Sequence, residues 1–372
     1  MITKLDRTGS VEQLRNLLDD VVSVNGVQSI LVLACDQNGI TPEAVDGILA
    51  GVPVPLFGGV FPEIIHEKEK LSRGFIVAGL SDRADVQVIP RLSDIDADYE
   101  SLIDDTRASA DTKTMIVFVD GLARRISALV DSLFNVFGLE FNYVGGGAGS
   151  LSFEQKPCLF TNDGLVQDSA LLATLEIESG VGVSHGWTEV AGPYHVTESD
   201  HNVIQSLDWL PAFDVYRDVV ESHGQKSLTV ENFFEIAKSY PFGIIKLGTE
   251  KIVRDPLMVQ GGDSLVCVGE VPQGSYVHIL TGDVNSLVSA AGRALTLGEQ
   301  SFQTTSGRKT TLFIDCISRA LFLEDQFSRE LDAVHQENTS LIGALTLGEI
   351  ANSRRDYLEF YNKTSVVGVL EG

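Results

Sequence analysis

Lysine and arginine are scarce in this chain. They number 27 against 52 aspartates and glutamates, leaving a formal charge of −25 and a pI near 4.5. Nucleic-acid binding depends on protein cations displacing counterions from phosphate, so DNA and RNA are excluded as partners. Anionic membrane surfaces are disfavoured on the same ground. Cysteine is sparse as well. Cys35, Cys158, Cys267 and Cys316 lie far apart, with no C-x-x-C pair and no zinc spacing. Three of them sit in the apolar runs LVLAC, LVCVG and LFIDC, which reads as small buried hydrophobes in a reducing compartment rather than a disulfide framework. Also missing are an apolar signal core in MITKLDRTGSVEQL and any apolar run near the ~18 residues of a spanning helix. The expectation is a cytoplasmic protein that does not enter the membrane.

What is present is ordinary globular material. Of the 372 residues, 44% are hydrophobic and 21% charged, enough for two cores at the usual ~100–200 residues per domain. Residues 10–24 read as an amphipathic helix capped by Ser10, with Gln13 completing a capping box. SILVLACD (29–36) reads as a buried strand. Thr41-Pro42 opens a short helix to about residue 50, and VPLFGGV, GFIVAGL and VQVIP return as strands. An acidic helix is expected over 96–108. MIVFVDG (115–121) is then a strand, followed by a helix that Gly138 ends. A strand ending in the glycines of NYVGGGAGS (142–150) comes next. TLFIDCI (311–317), a helix over roughly 322–335, SLIGALTLGEI (340–350) and DYLEFYNKTSVVGVL (356–370) repeat this plan. Asp36, Asp120 and Asp315, and the glycines at 58–59, 145–147 and 343–348, point to one unit used at least three times. Asn162-Asp163-Gly164 and Pro272-Gln273-Gly274 are short turns that force antiparallel neighbours. The expected class is therefore α/β leaning to α+β, with mixed, largely antiparallel sheets and helices on their outer faces. A bridging helix entered through Pro211 marks a boundary within 205–230.

Four patterns bear on chemistry. Gly182-Val183-Ser184-His185-Gly186 matches G-x-S-x-G, but a nucleophile elbow needs a sharp turn from strand into helix, and the following WTEVAGPYHV opposes a helix. Cys316-Ile317-Ser318-Arg319 is too tightly spaced for a phosphatase loop; Arg319 either lines a pocket or pairs a surface acid. Gly145, Gly146 and Gly147 either let a ligand approach the backbone or make a tight strand exit, and no dinucleotide or P-loop pattern accompanies them. His185, His195 and His201 cluster without metal-site spacing, although one axial histidine would suffice for haem.

Together LVLACD with PLFGGVFPE, YVGGGAGS, VGVSHGWTEV, NVIQSLDWLPAFDVYRD, YPFGI, VRDPL, GEVPQGS, GALTLGEI and EFYNKTSVV resemble the FIST proteins, in that family's order and over about residues 28–370. The resemblance implies an N-terminal helix at 1–26, a FIST-N-like domain at 27–210 and a FIST-C-like domain at 211–372. It implies a non-enzymatic module that binds a small, amino-acid-like ligand and regulates a separate partner such as a histidine kinase or chemoreceptor. A haem-binding nitric oxide sensor using His185, His195 or His201 is the alternative. Carried over by position, the ligand lining is Gly145, Gly146, Gly147, Arg254, Asp255, Cys316, Arg319, Glu349 and Asn362, where arginine forks a carboxylate while Glu and Asn accept from an ammonium group. The family's C-x-G-R turn has Ser318 in place of its glycine here, and Ser184 stands where alanine is common.

Overall fold

The computed structural model describes residues 1–246, 251–303, 308–352 and 357–372. Its chain runs three times through one plan of strand, helix, strand, helix, strand, hairpin, strand. The first pass is β1 (Ile2–Asp6), α1 (Val11–Val22), β2 (Ser29–Cys35), α2 (Pro42–Leu49), β3 (Leu56–Phe61), the hairpin β4 (Glu63–His66) and β5 (Glu69–Leu71), and β6 (Phe75–Leu80). The second is β7 (Asp85–Pro90), α3 (Tyr99–Leu102), β8 (Thr114–Asp120), α4 (Ile126–Phe137), β9 (Asn142–Ala148), the hairpin β10 (Leu159–Thr161) and β11 (Gly164–Val166), and β12 (Ser169–Leu175). The third begins at β13 (Ser179–Ser184) and is interrupted by an insertion. That insertion holds β14 (Thr188–Asp200), β15 (Val203–Leu207), β16 (Leu210–Pro211), α5 (Ala212–Gly224), α6 (Phe233–Ala237), β17 (Phe242–Ile244), β18 (Ile252–Gln260), β19 (Ser264–Val268) and β20 (Tyr276–Thr281). The plan then resumes with α7 (Val284–Ser301), β21 (Lys309–Cys316), α8 (Ile317–Leu323), α9 (Ser328–Val334), β22 (Ser340–Thr346), the hairpin β23 (Glu349–Ala351) and β24 (Glu359–Tyr361), and β25 (Ser365–Glu371).

Each pass builds a six-stranded sheet around one parallel pair, β2–β3, β8–β9 or β21–β22, with the remaining pairings antiparallel. Every hairpin leaves its own sheet: β4–β5 extends the third sheet, β10–β11 the first and β23–β24 the second. The three sheets are thereby interlocked in a ring, and β3, β9 and β22 touch one another at its centre. The insertion is a separate antiparallel sheet, which the β14–β15 pairing closes on itself. The mixed, mainly antiparallel class and the repetition expected from the pattern are both present.

Local signals explain most elements. Ser10 accepts from the Gln13 N–H at 3.3 Å at the start of α1, and Pro42 occupies the first turn of α2 although the Thr41 side chain makes no cap bond. α7 carries a full capping box between Asp283 and Ser286. Five expectations need correction. The segment 1–26 is not helix throughout, because Ile2–Asp6 pairs antiparallel with β6 as β1 and the helix begins only at Val11. The acidic helix over 96–108 shrinks to α3 and a separate 3-10 turn, because the Gln87 amide bonds Leu102 O and Asp104 N and holds the chain open there. The helix over 322–335 is broken at Glu324, whose φ of 48° lies in the left-handed region. β19 and β20, flanking Pro272-Gln273-Gly274, are not neighbours, since Gly274 N bonds Val196 O and carries the chain across the end of the insertion. The glycines of NYVGGGA lie inside β9 and not beyond it.

The register also refines the repeat. Gly58, Gly145 and Gly343 face Val32, Val117 and Phe313 across the three parallel pairs. Counting three residues on from those partners makes Cys35, Asp120 and Cys316 equivalent, so Asp36 stands one residue late and Asp315 one early. No helix among the described residues is long and apolar enough to cross a membrane. All four cysteines are buried free thiols, and burial pushes Cys35 up to about 12.

Candidate functional site

Segment 360–364, the FYNKT that joins β24 to β25, gathers the residues singled out from the sequence. Arg254, in the V-R-D-P run of strand β18, donates to Phe360 O at 2.9 Å and to Glu270 O at 2.9 Å. Asp255 pairs the Lys363 ammonium at 3.1 Å. Arg319 donates to Lys363 O at 3.3 Å and to His185 O at 2.6 Å. Glu349 accepts from Thr364 N at 3.3 Å and from the Thr346 hydroxyl at 3.0 Å, and the Cys316 thiol also bonds it. Asn362 belongs to the segment itself. The three glycines reach it indirectly, because Gly146 pairs with Glu349 across β9–β23 and Gly147 N bonds Gly348 O.

All of these side chains are buried. What converges is an interior polar network, not a cleft wall. Its centre is Arg319, fully enclosed, with Asp315 at 3.0 Å and Glu330 in direct contact, and with Leu287 O accepting at 3.1 Å. Lys363 lies over the Trp187 ring and donates to Lys238 O at 3.0 Å. Four acid and amide groups of the network have polar atoms without a hydrogen-bond partner among the described residues: one oxygen each of Asp255, Asp315 and Glu330, and both ends of the Asn362 amide.

One guanidinium thus pairs two buried carboxylates, Asp315 and Glu330, and a third, Glu349, lies within its field. Burial, partly offset by the bonds from Thr346, Cys316 and Thr364, raises Glu349 to about 8. Asp315 is raised too, first by burial and then by Glu330. The folded protein therefore keeps a proton at neutral pH that the unfolded chain releases near 4.5, the ordinary value. A group whose folded pKa is raised loses stability as pH climbs from its unfolded to its folded value. We expect the melting temperature to fall between about pH 4.5 and pH 8, and Glu349→Gln to flatten that fall in thermal melts; an unchanged slope would place the proton elsewhere.

The open site lies beside this network. A cleft of about 640 Å³ separates the loop from β8 into α4 from the tip of the insertion. One wall carries Arg124, Arg125 and the first turn of α4, and the other carries Asp200, His201 and Glu270. Ligand sites of α/β units gather at such carboxyl ends of strands. Arg125 is committed, donating to the carbonyls of Asp94, Ile95 and Ala97 at 3.2, 2.6 and 3.3 Å. The exposed Arg124 guanidinium has no partner among the described residues, and α4 has no side-chain cap, so its first N–H groups remain available. Phe360 forms part of the floor, and its carbonyl holds Arg254. The network and the cleft share that residue.

Family models match the chain twice, the FIST N domain over residues 12–210 and the FIST C domain over residues 212–352. The chain belongs to the FIST family. FIST domains are sensory domains of signal transduction. No curated protein matches this FIST chain.

Of the three histidines, His185 is buried, its Nδ1 accepting from Trp187 N at 2.9 Å, and His195 stacks on Tyr276. Only His201, of these three, lines the cleft, with Nδ1 2.7 Å from Asp200. Ser184 sits within β13 and accepts from Arg293 at 3.2 Å. The glycines around it are packing positions: a Cβ on Gly182 would stand 1.9 Å from Ala294 O, and one on Gly186 2.5 Å from Ser286 O, so α7 lies directly on this stretch. Sequence reasoning passed over Lys363 and Glu330 because charged side chains are seldom fully buried. Arg124, Asp200 and Glu270 come from three distant segments, and no local pattern links them.

Proposed function

We propose that this FIST chain senses an amino-acid-like ligand in the cleft between the α4 entry loop and the insertion, and regulates a separate signalling partner such as a histidine kinase or chemoreceptor. The observation that carries this reading is the opposition of charge across the cleft. Arg124 and the uncapped α4 terminus attract a carboxylate, while Asp200 and Glu270 accept from an ammonium group. A zwitterion satisfies both walls, whereas a simple anion or cation satisfies one and leaves the other. The cleft joins residues matched by both halves of the family, so a ligand drawing its walls together would shift the insertion against the ring. The role is binding without catalysis: Ser184, the one residue in a nucleophile pattern, is buried against α7 and not raised on a turn.

A ligand at 100 times its Kd stabilises the folded state by about 2.7 kcal/mol. A thermal-shift screen of free amino acids should thus yield a clear upward shift, and Arg124→Glu should abolish it while leaving the ligand-free melt unchanged. A flat screen would remove the amino-acid reading. The haem reading has one foothold: His201 offers Nδ1 to Asp200 at the cleft, an arrangement that leaves Nε2 for a metal. Absorbance near 400 nm (roughly) in freshly purified protein would support it, and its absence after haem addition would end it.

A further inference from the structure

Arg124 and Asp200 are the exposed charged groups of the cleft, and its more buried lining is of another character. Ile126 and Phe360 are buried at its base, and Leu122, Val203 and Val268 are half-buried around them. Ile95 also lines the cleft, at 74% exposure, one of the most exposed large apolar side chains described. It is not a loose surface residue. Arg125 binds its carbonyl at 2.6 Å and those of Asp94 and Ala97 nearby, so the backbone that carries the isoleucine is held in place at the cleft. Asn202, the remaining amide in the lining, already donates to Cys267 O at 2.8 Å. The side chains of Ile126, Phe360, Leu122, Val203 and Val268 offer a charged or amide group no hydrogen bond in return for its water.

Resting on the reading of the cleft as a zwitterion site, we infer that its ligand is an amino acid, or a short peptide ending in one, with a bulky apolar side chain. The head group lies between Arg124 and Asp200 with Glu270. The side chain descends onto Ile126 and Phe360, and Ile95 covers it. About 640 Å³ accommodates such a body, within the usual range for ligand pockets. Binding removes the exposed part of Ile95 from water, which gives the cleft a reason to prefer leucine or phenylalanine over smaller or charged amino acids.

Isothermal titration of the full chain with L-leucine, L-phenylalanine, L-aspartate and L-lysine tests this. Leucine or phenylalanine should bind at least about tenfold more tightly than the charged pair. Ile95→Asp should weaken leucine binding by about tenfold without moving the ligand-free melt, and Ile95→Leu should keep it. Aspartate or lysine binding as well as leucine would overturn the apolar specificity and leave the zwitterion site standing. Binding of none of the four would overturn the zwitterion reading and this inference with it. Leucine binding unaffected by Ile95→Asp would place the side chain elsewhere and overturn the inference alone.

Discussion

Arg319→Met should destabilise the fold by about 3–5 kcal/mol in urea denaturation, the range for removing one partner of a buried ion pair. The guanidinium spans Asp315, Glu330 and the carbonyls of His185, Leu287 and Lys363, so its removal strands two carboxylates and three acceptors in the interior. Methionine fills the volume, which isolates the electrostatic loss from a cavity. Arg319→Lys should recover little, because one ammonium cannot reproduce a fork that reaches β21, α9, α7 and the FYNKT segment together. A loss below about 1 kcal/mol in Arg319→Met would mean that the carboxylates simply take up protons and that the network is not organised around this residue.

Gly343→Ala should be equally damaging, with a loss above about 4 kcal/mol or failure to accumulate folded protein. A Cβ there would stand 1.9 Å from Phe313 O, in the backbone of the paired strand. The same contact recurs at 1.8 Å from Gly145 to Val117 O and at 1.9 Å from Gly58 to Val32 O, so the three sheets share one requirement. Gly26→Ala is the control. Its φ is 91° with nothing within 4 Å, so it should cost only the ~1–2 kcal/mol of a left-handed backbone. If Gly343→Ala melts like that control, the strands have room to separate and the shared contact is not what selects glycine.

Gly146 connects this rule to the site. As the centre of NYVGGGAGS it invited two readings, a backbone opened to a ligand or a packing constraint. Its φ is not positive, and a Cβ would stand 2.6 Å from Gly348 O and 3.1 Å from the Thr346 side chain. The glycine admits the turn between β22 and β23, which carries Glu349 to its place under segment 360–364. Its part in any ligand response therefore passes through the network.

The periodic signals were sufficient for most of the elements and for the repeat, though not for the shortened α3 or the break at Glu324. Apolar strands followed by capped helices, each returning to a glycine, recur because every pass solves the same packing problem around the ring centre. Burial of Arg254, Asp255, Glu349 and Asn362 was not legible, since turn-located polar residues beside glycines look alike whether they face water or one another. Their meeting depends on hairpins that leave their own sheets: β23–β24 carries Glu349 and Phe360 from the third sheet to the second, and exchange of that kind has no local signature. The cleft depends still more on tertiary structure. Arg124 precedes a helix, Asp200 ends a long strand and Glu270 follows β19, and each alone is an ordinary charged residue on an acidic chain. By itself the sequence determined most of the strands and helices and a unit used three times, because those signals act between near neighbours along the chain. Only the tertiary structure decided which charges are buried and which oppose each other across open space, because that depends on where an insertion of about ninety residues rests against the ring.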